Sequence, residues 1–278
     1  MKIVFVSDFF LNNILGGGEI CDDCVIRHLE KNNEVEKIQS SNLTLKKATE
    51  LKDCLFIISN FVLVSSEVLE YITDNIKYII YEHDYKFLNT RNPGKFINFE
   101  VPDNQIINRK FYLKSKNIIC QSTFQKHIFE KNLKLKNIIS IGTNFWLDDH
   151  YRILEEKSLL VKNDKYAILD SQNPNKNTAG AIEYCKKNNI NYELIPSIKY
   201  EDFLSIFGNY KGFIFLPQSP ETFSRTVIEA RMMNMEVITN NLIGSKKEEW
   251  YKNYKGKELI DFIRNKNKEA YKIFESLI

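Results

Sequence analysis

The sequence predicts an α/β protein built as two parallel-sheet domains in tandem, and three observations predict it. Short runs rich in Ile, Val and Phe alternate with longer segments of mixed polar and apolar residues, the pattern of βα units around a sheet buried on both faces. That pattern restarts after about residue 150. The chain of 278 residues is 43% hydrophobic and 27% charged, enough to fill two cores and unlike the composition of a disordered chain.

In the first half, strands are predicted at Ile3 to Val6, Leu55 to Ile58, Tyr78 to Tyr81 and Asn117 to Cys120, with helices at Glu19 to Glu30, Asn104 to Lys114 and Thr123 to Lys131. The second half reads as strand Tyr166 to Leu169, helix Thr178 to Lys187, strand Tyr192 to Ile195, helix Tyr200 to Phe207, strand Gly212 to Leu216, helix Arg225 to Met233 and strand Glu236 to Thr239. A closing helix spans Glu258 to Ile278. Between the halves, Trp146 to Lys165 is charged and irregular, with Asp148, Asp149, Glu155 and Glu156, and reads as a linker. The implied domains are 1–150 and 151–278.

Composition narrows the function. With 39 Lys and Arg against 36 Asp and Glu, the net charge of +3 is far from that of a nucleic-acid-binding domain. Basic residues cluster at Arg109, Lys110, Lys114 and Lys116, and again at Lys131, Lys134 and Lys136, where a solvated helix face and an anionic membrane surface are both compatible. Five cysteines, Cys21, Cys24, Cys54, Cys120 and Cys185, follow no disulfide or zinc spacing. Cys21 and Cys24 read as small core thiols of a helix. The longest apolar run, Leu55 to Val64, is shorter than the roughly 20 residues a bilayer needs, and the N-terminus reaches Asp8 too early for a signal-peptide core. A cytoplasmic protein is expected, with peripheral contact to the inner membrane face as a further expectation.

Four constellations carry chemistry. Gly16-Gly17-Gly18-Glu19 precedes a helix, where backbone can approach a ligand and free amides favour an anion; Glu19 stabilising the helix start is the plainer reading. His83 follows a strand in Tyr81-Glu82-His83-Asp84-Tyr85, at the sheet edge where open α/β folds place ligands, and an imidazole there can orient a sugar hydroxyl; a satisfied structural histidine is the plainer reading. Lys176 lies between a strand and a helix capped by Asn177 or Thr178, so the ammonium and the helix amides would attract the same anion. The strongest is the segment from Pro220 to Asn240. Glu221 falls in a strand-end loop and Glu229 eight residues later in the following helix, with the amides of Ser224, Arg225 and Thr226 at the helix start between them. Against this stands a helix capped by Thr222 or Ser224 with Glu229 as a surface charge.

Pro220 to Ala230, with Glu236 to Asn240 and Gly244, resembles the E-x7-E signature of the retaining glycosyltransferases of family GT4. Gly16 to Glu19 is similar to that family's N-terminal Gly-rich loop, His83 to its N-domain histidine, Lys176 to its C-domain lysine, and Ile141 to Asn144 to its approach to the interdomain linker. The resemblance covers most of residues 1 to 245. It implies the GT-B fold, two Rossmann-like domains with parallel sheets facing a central cleft. Domain 1–150 would be the acceptor side and a compact domain 151–278 the nucleotide-sugar side, its last helix returning to the first domain.

By the same resemblance His83 and Glu221 would be catalytic, with Glu221 on the donor sugar. Gly17, Gly18, Lys176, Thr222, Phe223, Ser224, Arg225, Thr226 and Glu229 would bind the donor, the amides of Ser224 and Arg225 taking the diphosphate and Glu229 the ribose. No Asp-x-Asp stands ready for a divalent ion, so neither metal nor cofactor is expected. The partners are a nucleotide-sugar donor and a glycan, lipid-linked or protein acceptor, with no nucleic acid. Three departures stand out. Ser171, Gln172 and Asn173 occupy the stretch where the family carries an Arg ahead of the lysine; Ser224 replaces the usual Gly; and the chain after Gly244 is short. A nucleotide-sugar epimerase of the same fold and a non-catalytic nucleotide- or glycan-binding relative are the alternatives.

Overall fold

A computed structural model describes residues 2–12 and 16–278. The chain divides into two compact units, Met1–Phe145 with Lys268–Ile278, and Trp146–Asn267.

The first unit holds strands β1 (Lys2–Ser7), β2 (Glu34–Gln39), β3 (Leu55–Ile58), β4 (Lys77–Glu82), β5 (Ile118–Cys120) and β6 (Ile138–Ser140), paired in parallel in the order β2-β1-β3-β4-β5-β6. Its helices are α1 (Gly17–Leu29), α2 (Leu45–Glu50), α3 (Ser66–Asn75), α4 (Arg109–Lys114) and α5 (Thr123–Leu133). Helices on both faces explain why β1, β3 and β4 are continuous apolar runs: Val4, Phe5, Phe56, Ile57, Ile79 and Ile80 are fully buried. Cys21 and Cys24 lie on the buried side of α1, as expected of core thiols.

The second unit holds α6 (Asp148–Ser158), β7 (Tyr166–Leu169), α7 (Thr178–Lys187), β8 (Tyr192–Ile195), α8 (Tyr200–Phe207), β9 (Gly212–Phe215), α9 (Arg225–Met232) and β10 (Glu236–Thr239), with a parallel sheet in the order β10-β9-β7-β8. A last helix, α10 (Gly256–Leu277), supplies Leu259, Ile260 and Ile263 to this unit's core, and its residues from Lys268 onward belong to the first unit. There Tyr271 stacks on Phe145 at 4.6 Å between ring centres.

Three expectations are corrected. The segment Trp146 to Lys165 is not an irregular linker, because α6 occupies most of it. Acidic Asp148 and Asp149 sit in the first turn and Lys157 in the last, complementing the helix dipole, while Tyr151 and Leu154 bury. The His150 ring also reaches back to accept the Leu147 amide at 3.2 Å. The helix expected from Asn104 begins only at Arg109, after Asn108 takes a left-handed conformation with φ 56°. Finally, β2, β6, α2 and α3 are elements the sequence pattern did not show.

Two features position the candidate functional residues. In the second sheet, β7 is followed by β8 on one side and β9 on the other, so the strand order reverses between β7 and β9, where open α/β sheets leave a crevice at the strand carboxyl ends. In the first sheet, β4 ends on Glu82, fully buried and paired with the equally buried Lys86. Its carboxylate also accepts the Tyr112 hydroxyl at 2.6 Å and the Asp84 amide at 2.9 Å. Gln125 donates to the carbonyls of Glu82 and Asp84 at 3.1 and 3.2 Å. The turn carrying His83 is thereby fixed on both sides.

Candidate functional site

In the second unit, the loops after β7 and β9 are joined across the switch point. The Gln218 amide donates to the Asn175 carbonyl at 2.9 Å and the Asn177 side chain to the Leu216 carbonyl at 2.8 Å. Asn177, with φ 57°, is the α7 cap and accepts the Gly180 amide at 3.2 Å; Thr178 instead donates its hydroxyl to the Leu169 carbonyl. Glu221 is pinned through its backbone, its amide donating to Leu242 and its carbonyl accepting from Gly244 at 2.8 and 2.9 Å. On this frame the Lys176 ammonium meets both Glu221 carboxylate oxygens, at 2.9 and 3.0 Å. Both side chains remain partly exposed.

The α9 helix starts beside this pair in sequence. Ser224 occupies its N-cap with φ 71° and no side-chain cap bond, and its hydroxyl is buried without a hydrogen-bond partner. A residue with a side chain is strained there, which is the physical sense of the glycine found at this place in the family it resembles. Thr222 is half-buried in the loop and Thr226 half-buried in the first turn of α9. The Phe223 ring is core, 6.3 Å from Trp250, so a role in binding falls to its backbone.

Glu229 is not a surface charge. It is 0% exposed, and Oε1 accepts the Trp146 indole at 2.9 Å and the Tyr200 hydroxyl at 2.5 Å, with Arg225 Nε at 3.4 Å. Oε2 is buried without a protein partner. The Arg225 guanidinium lies over the Trp146 ring at 4.5 Å and the Tyr200 ring at 5.3 Å, and donates to the Tyr200 hydroxyl at 2.7 Å. Its charge is thus engaged within the unit, and what Arg225 offers at the helix start is its backbone. Burial, then the Arg225 charge, pushes the nearby His150 imidazole down to about 4, so it stays neutral at ordinary pH. Burial raises the Tyr200 phenol well above its usual value, keeping its proton available for Glu229.

A second group assembles in the first unit around His83. Its Nε2 lies 2.7 Å from Asp22 Oδ1, its Nδ1 is hydrogen-bonded to the Gln121 side chain, and a Cβ added at Gly18 would come within 3.6 Å of the ring. Gly17 is the exposed first residue of α1. The Glu19 side chain folds back against Gly16, and burial raises its carboxyl above the usual carboxylate range while its own backbone amide acts against that. The reading of Glu19 as a support of the helix start therefore fits the geometry.

The structure brings Lys176 to Glu221, Arg225 to Glu229, and Gly18 to His83. Sequence reasoning missed Asp22 and Gln121 around His83, and Trp146, Tyr200 and His150 around Glu229. Only Asp22 left a signal: an acid one helical turn before Val25 and Ile26, on the buried stripe of α1. Of the basic clusters, Arg109 pairs with Asp103, Lys110 with Asp74 and Lys131 with Glu100, at 2.6, 2.7 and 3.3 Å. Among the described residues, no group of His, Cys, Asp and Glu gathers as a metal site, and no helix is long and apolar enough to cross a membrane.

The fold is shared with solved structures that include a synthase and a galactosyltransferase. The structure of HepE from Anabaena in complex with UDP and glucose superposes with a TM-score of 0.57 at 13% identity, covering 96% of this chain and 89% of that one. Sucrose-phosphate synthase from Thermosynechococcus elongatus gives 0.58 at 11% identity, over 88% and 82% of the two chains. The apo lipopolysaccharide outer core galactosyltransferase WaaB gives 0.50 at 10%, over 95% and 88%. No protein-family model matches the sequence, and a search of curated proteins found no match. At these identities the likeness establishes the α/β fold with two parallel sheets, the GT-B type of these glycosyltransferases.

Proposed function

We propose that the chain is a glycosyltransferase that moves a sugar from a nucleoside diphosphate donor to a glycan, lipid-linked or protein acceptor, with retention of configuration and without a metal ion. The observation that carries this reading is the Lys176–Glu221 pair at the β7/β9 switch point, followed directly by the N-terminus of α9 and the buried Glu229. With no donor present the two side chains neutralise each other. A partly exposed pair of this kind is worth about 1 kcal/mol or less, so a donor separates it at little cost. The ammonium then turns to the diphosphate and the carboxylate to sugar hydroxyls, while the α9 amides and helix dipole stabilise the leaving charge. Glu229, with one oxygen unpartnered, would accept ribose hydroxyls. UDP and glucose in the HepE crystals support a nucleotide-sugar donor for a chain of this fold.

A specific observation favours the second reading, a non-catalytic nucleotide- or glycan-binding relative. Arg225 is turned to Trp146, Tyr200 and Glu229, so it does not replace the arginine missing near Ser171 to Asn173. A panel of UDP-, GDP- and dTDP-sugars tested by thermal shift identifies the donor, since ligand binding raises apparent stability. Donor hydrolysis and transfer in EDTA then separate the readings. Strict dependence on Mn2+ or Mg2+ refutes the metal-free mechanism, an inverted product anomer refutes retention, and binding without turnover leaves the non-catalytic relative. Epimerised donor formed without acceptor identifies an epimerase.

A further inference from the structure

We propose that Asp22 is the positioning residue of His83: it holds the imidazole with its proton on Nε2 and so presents Nδ1 as a hydrogen-bond acceptor to a substrate hydroxyl, a place that Gln121 fills in this structure. The catalytic consequence rests on the transferase reading above, whereas the assignment of the ring does not.

Three donors converge on Asp22, which is 1% exposed. Ser7 and Ser59 donate their hydroxyls to Oδ2 at 3.1 and 2.6 Å, and His83 Nε2 approaches Oδ1 at 2.7 Å. An ionised carboxylate accepts only, so the proton of the third bond belongs to His83 Nε2. With that proton on Nε2, Nδ1 is the acceptor and the Gln121 side-chain amide hydrogen-bonded to it is the donor. Both serines come from the ends of β-strands or the residue just after, Ser7 closing β1 and Ser59 following β3, and Ser59 is further tied to β1 through its amide on the Val6 carbonyl at 2.9 Å. Asp22 is therefore clamped to the sheet before it reaches His83. A carboxylate needed only to join Ser7 to Ser59 would not require a third partner on its other oxygen. Tyr81 packs edge-on to the imidazole at 4.3 Å, and the Glu82 network fixes the backbone below it, so the ring plane is set as well as its tautomer. A base held by a carboxylate on one nitrogen, with its other nitrogen directed at a hydrogen donor, is the arrangement that orients an imidazole toward a reacting hydroxyl. Gln121 follows β5 directly, and its amide N–H makes the same bond to Nδ1 that a sugar O–H would make.

Long-range 1H–15N correlation on the full labelled chain reads the tautomer of each of the four histidines, with His83 assigned by the loss of its peaks in His83→Gln. The expected result is a protonated Nε2 and an unprotonated, accepting Nδ1. Gln121→Met keeps this tautomer, and Asp22→Leu mixes it with the Nδ1–H form. A wild-type ring protonated on Nδ1, or a ring unchanged in Asp22→Leu, overturns the assignment. Should Asp22→Leu fail to fold, Asp22→Asn keeps the shape and removes the charge, and the wild-type spectrum decides by itself. In a transfer assay Asp22→Leu lowers kcat about tenfold or more with donor KM unchanged, the scale of one hydrogen bond lost in the transition state. An effect on KM alone overturns the catalytic role, while a chain with the expected tautomer and no transfer activity overturns only the transferase reading.

Discussion

Replacing Glu229 tests whether the α9 cluster is one interacting unit. The carboxylate is fully buried and takes hydrogen bonds from Trp146 and Tyr200 on one oxygen, with Arg225, 7% exposed, as its counter-charge. In Glu229→Ala the guanidinium keeps its charge and its burial and loses its carboxylate, and the indole N–H and the phenol lose their acceptor. Removing one partner of a buried pair costs about 3–5 kcal/mol, and the two neutral donors do not add in full because they share one oxygen. We expect a loss of about 4 kcal/mol in this unit. Removing both charges, as in Arg225→Met with Glu229→Leu, leaves no stranded charge but still leaves the indole N–H and the phenol without their acceptor, so the loss falls to about 2 kcal/mol. Both tryptophans of the chain, Trp146 and Trp250, belong to this unit, so tryptophan fluorescence in urea follows it alone. With a slope of about 2 kcal/mol per molar urea, the Glu229→Ala midpoint falls by about 2 M and the double variant recovers about half of it. Single variants within about 0.5 kcal/mol of wild type, or losses that simply add in the double variant, refute the coupling.

Other outcomes follow from the same geometry. His150 is held near 4 against an ordinary 6.5, so the folded unit refuses a proton that the unfolded chain accepts between those values. Its contribution, about 2–3 kcal/mol, is complete above pH 6.5 and is lost as pH falls toward 4; His150→Gln flattens the stability-versus-pH slope in that window, and an unchanged slope refutes the assignment. Ser224→Gly removes a left-handed side chain and an unpartnered buried hydroxyl, and should stabilise the unit by about 1 kcal/mol, read as a melting temperature higher by about 4 °C. A lower melting temperature would show that the hydroxyl is used. Lys176→Met frees Glu221 and removes the ammonium hydrogen-bonded to it, and should weaken nucleoside diphosphate binding by about 2 kcal/mol in calorimetry, roughly thirtyfold, with little change in stability. Equal affinity in the variant places the diphosphate elsewhere.

How far the sequence could be read depended on where each residue's partners lie along the chain. The strands β1, β3, β4, β7 and β9 are buried on both faces and show themselves as apolar runs. β2 did not, because it is the edge strand: Glu34 and Glu36 pair with Lys2, and Glu36 with Lys47, so its sequence is charged where an inner strand would be apolar. In α6, four buried side chains among charged residues hid a helix in what read as a linker. The eight-residue separation of Glu221 and Glu229 is local, and it correctly placed one carboxylate in a loop and the other in a helix. What surrounds them is not local. Trp146 is 83 residues from Glu229 and Tyr200 is 29, and no periodicity links an indole, a phenol and a carboxylate across such distances.

The two glutamates of the spacing have opposite physical roles in the unliganded chain. Glu221 is held by its backbone, while its side chain keeps a partner it can release. Glu229 is held by its side chain, in a cluster that would be costly to break. Because α9 carries Glu229 and begins just after its cap Ser224, anchoring that carboxylate also fixes the direction of the helix and the amides at its start. The rigid half of the site therefore lies in the helix and the exchangeable half in the Lys176–Glu221 pair. On the transferase reading proposed above, an anion reaching the switch point would meet a prepared helix end and an ammonium that needs only to change partners, so stabilising a leaving diphosphate would require little rearrangement. On the same reading, Arg225 is a poor substitute for the arginine that the GT4 resemblance implies near Ser171 to Asn173. Turning its guanidinium toward a phosphate would strand Glu229 and release the element that aligns the helix.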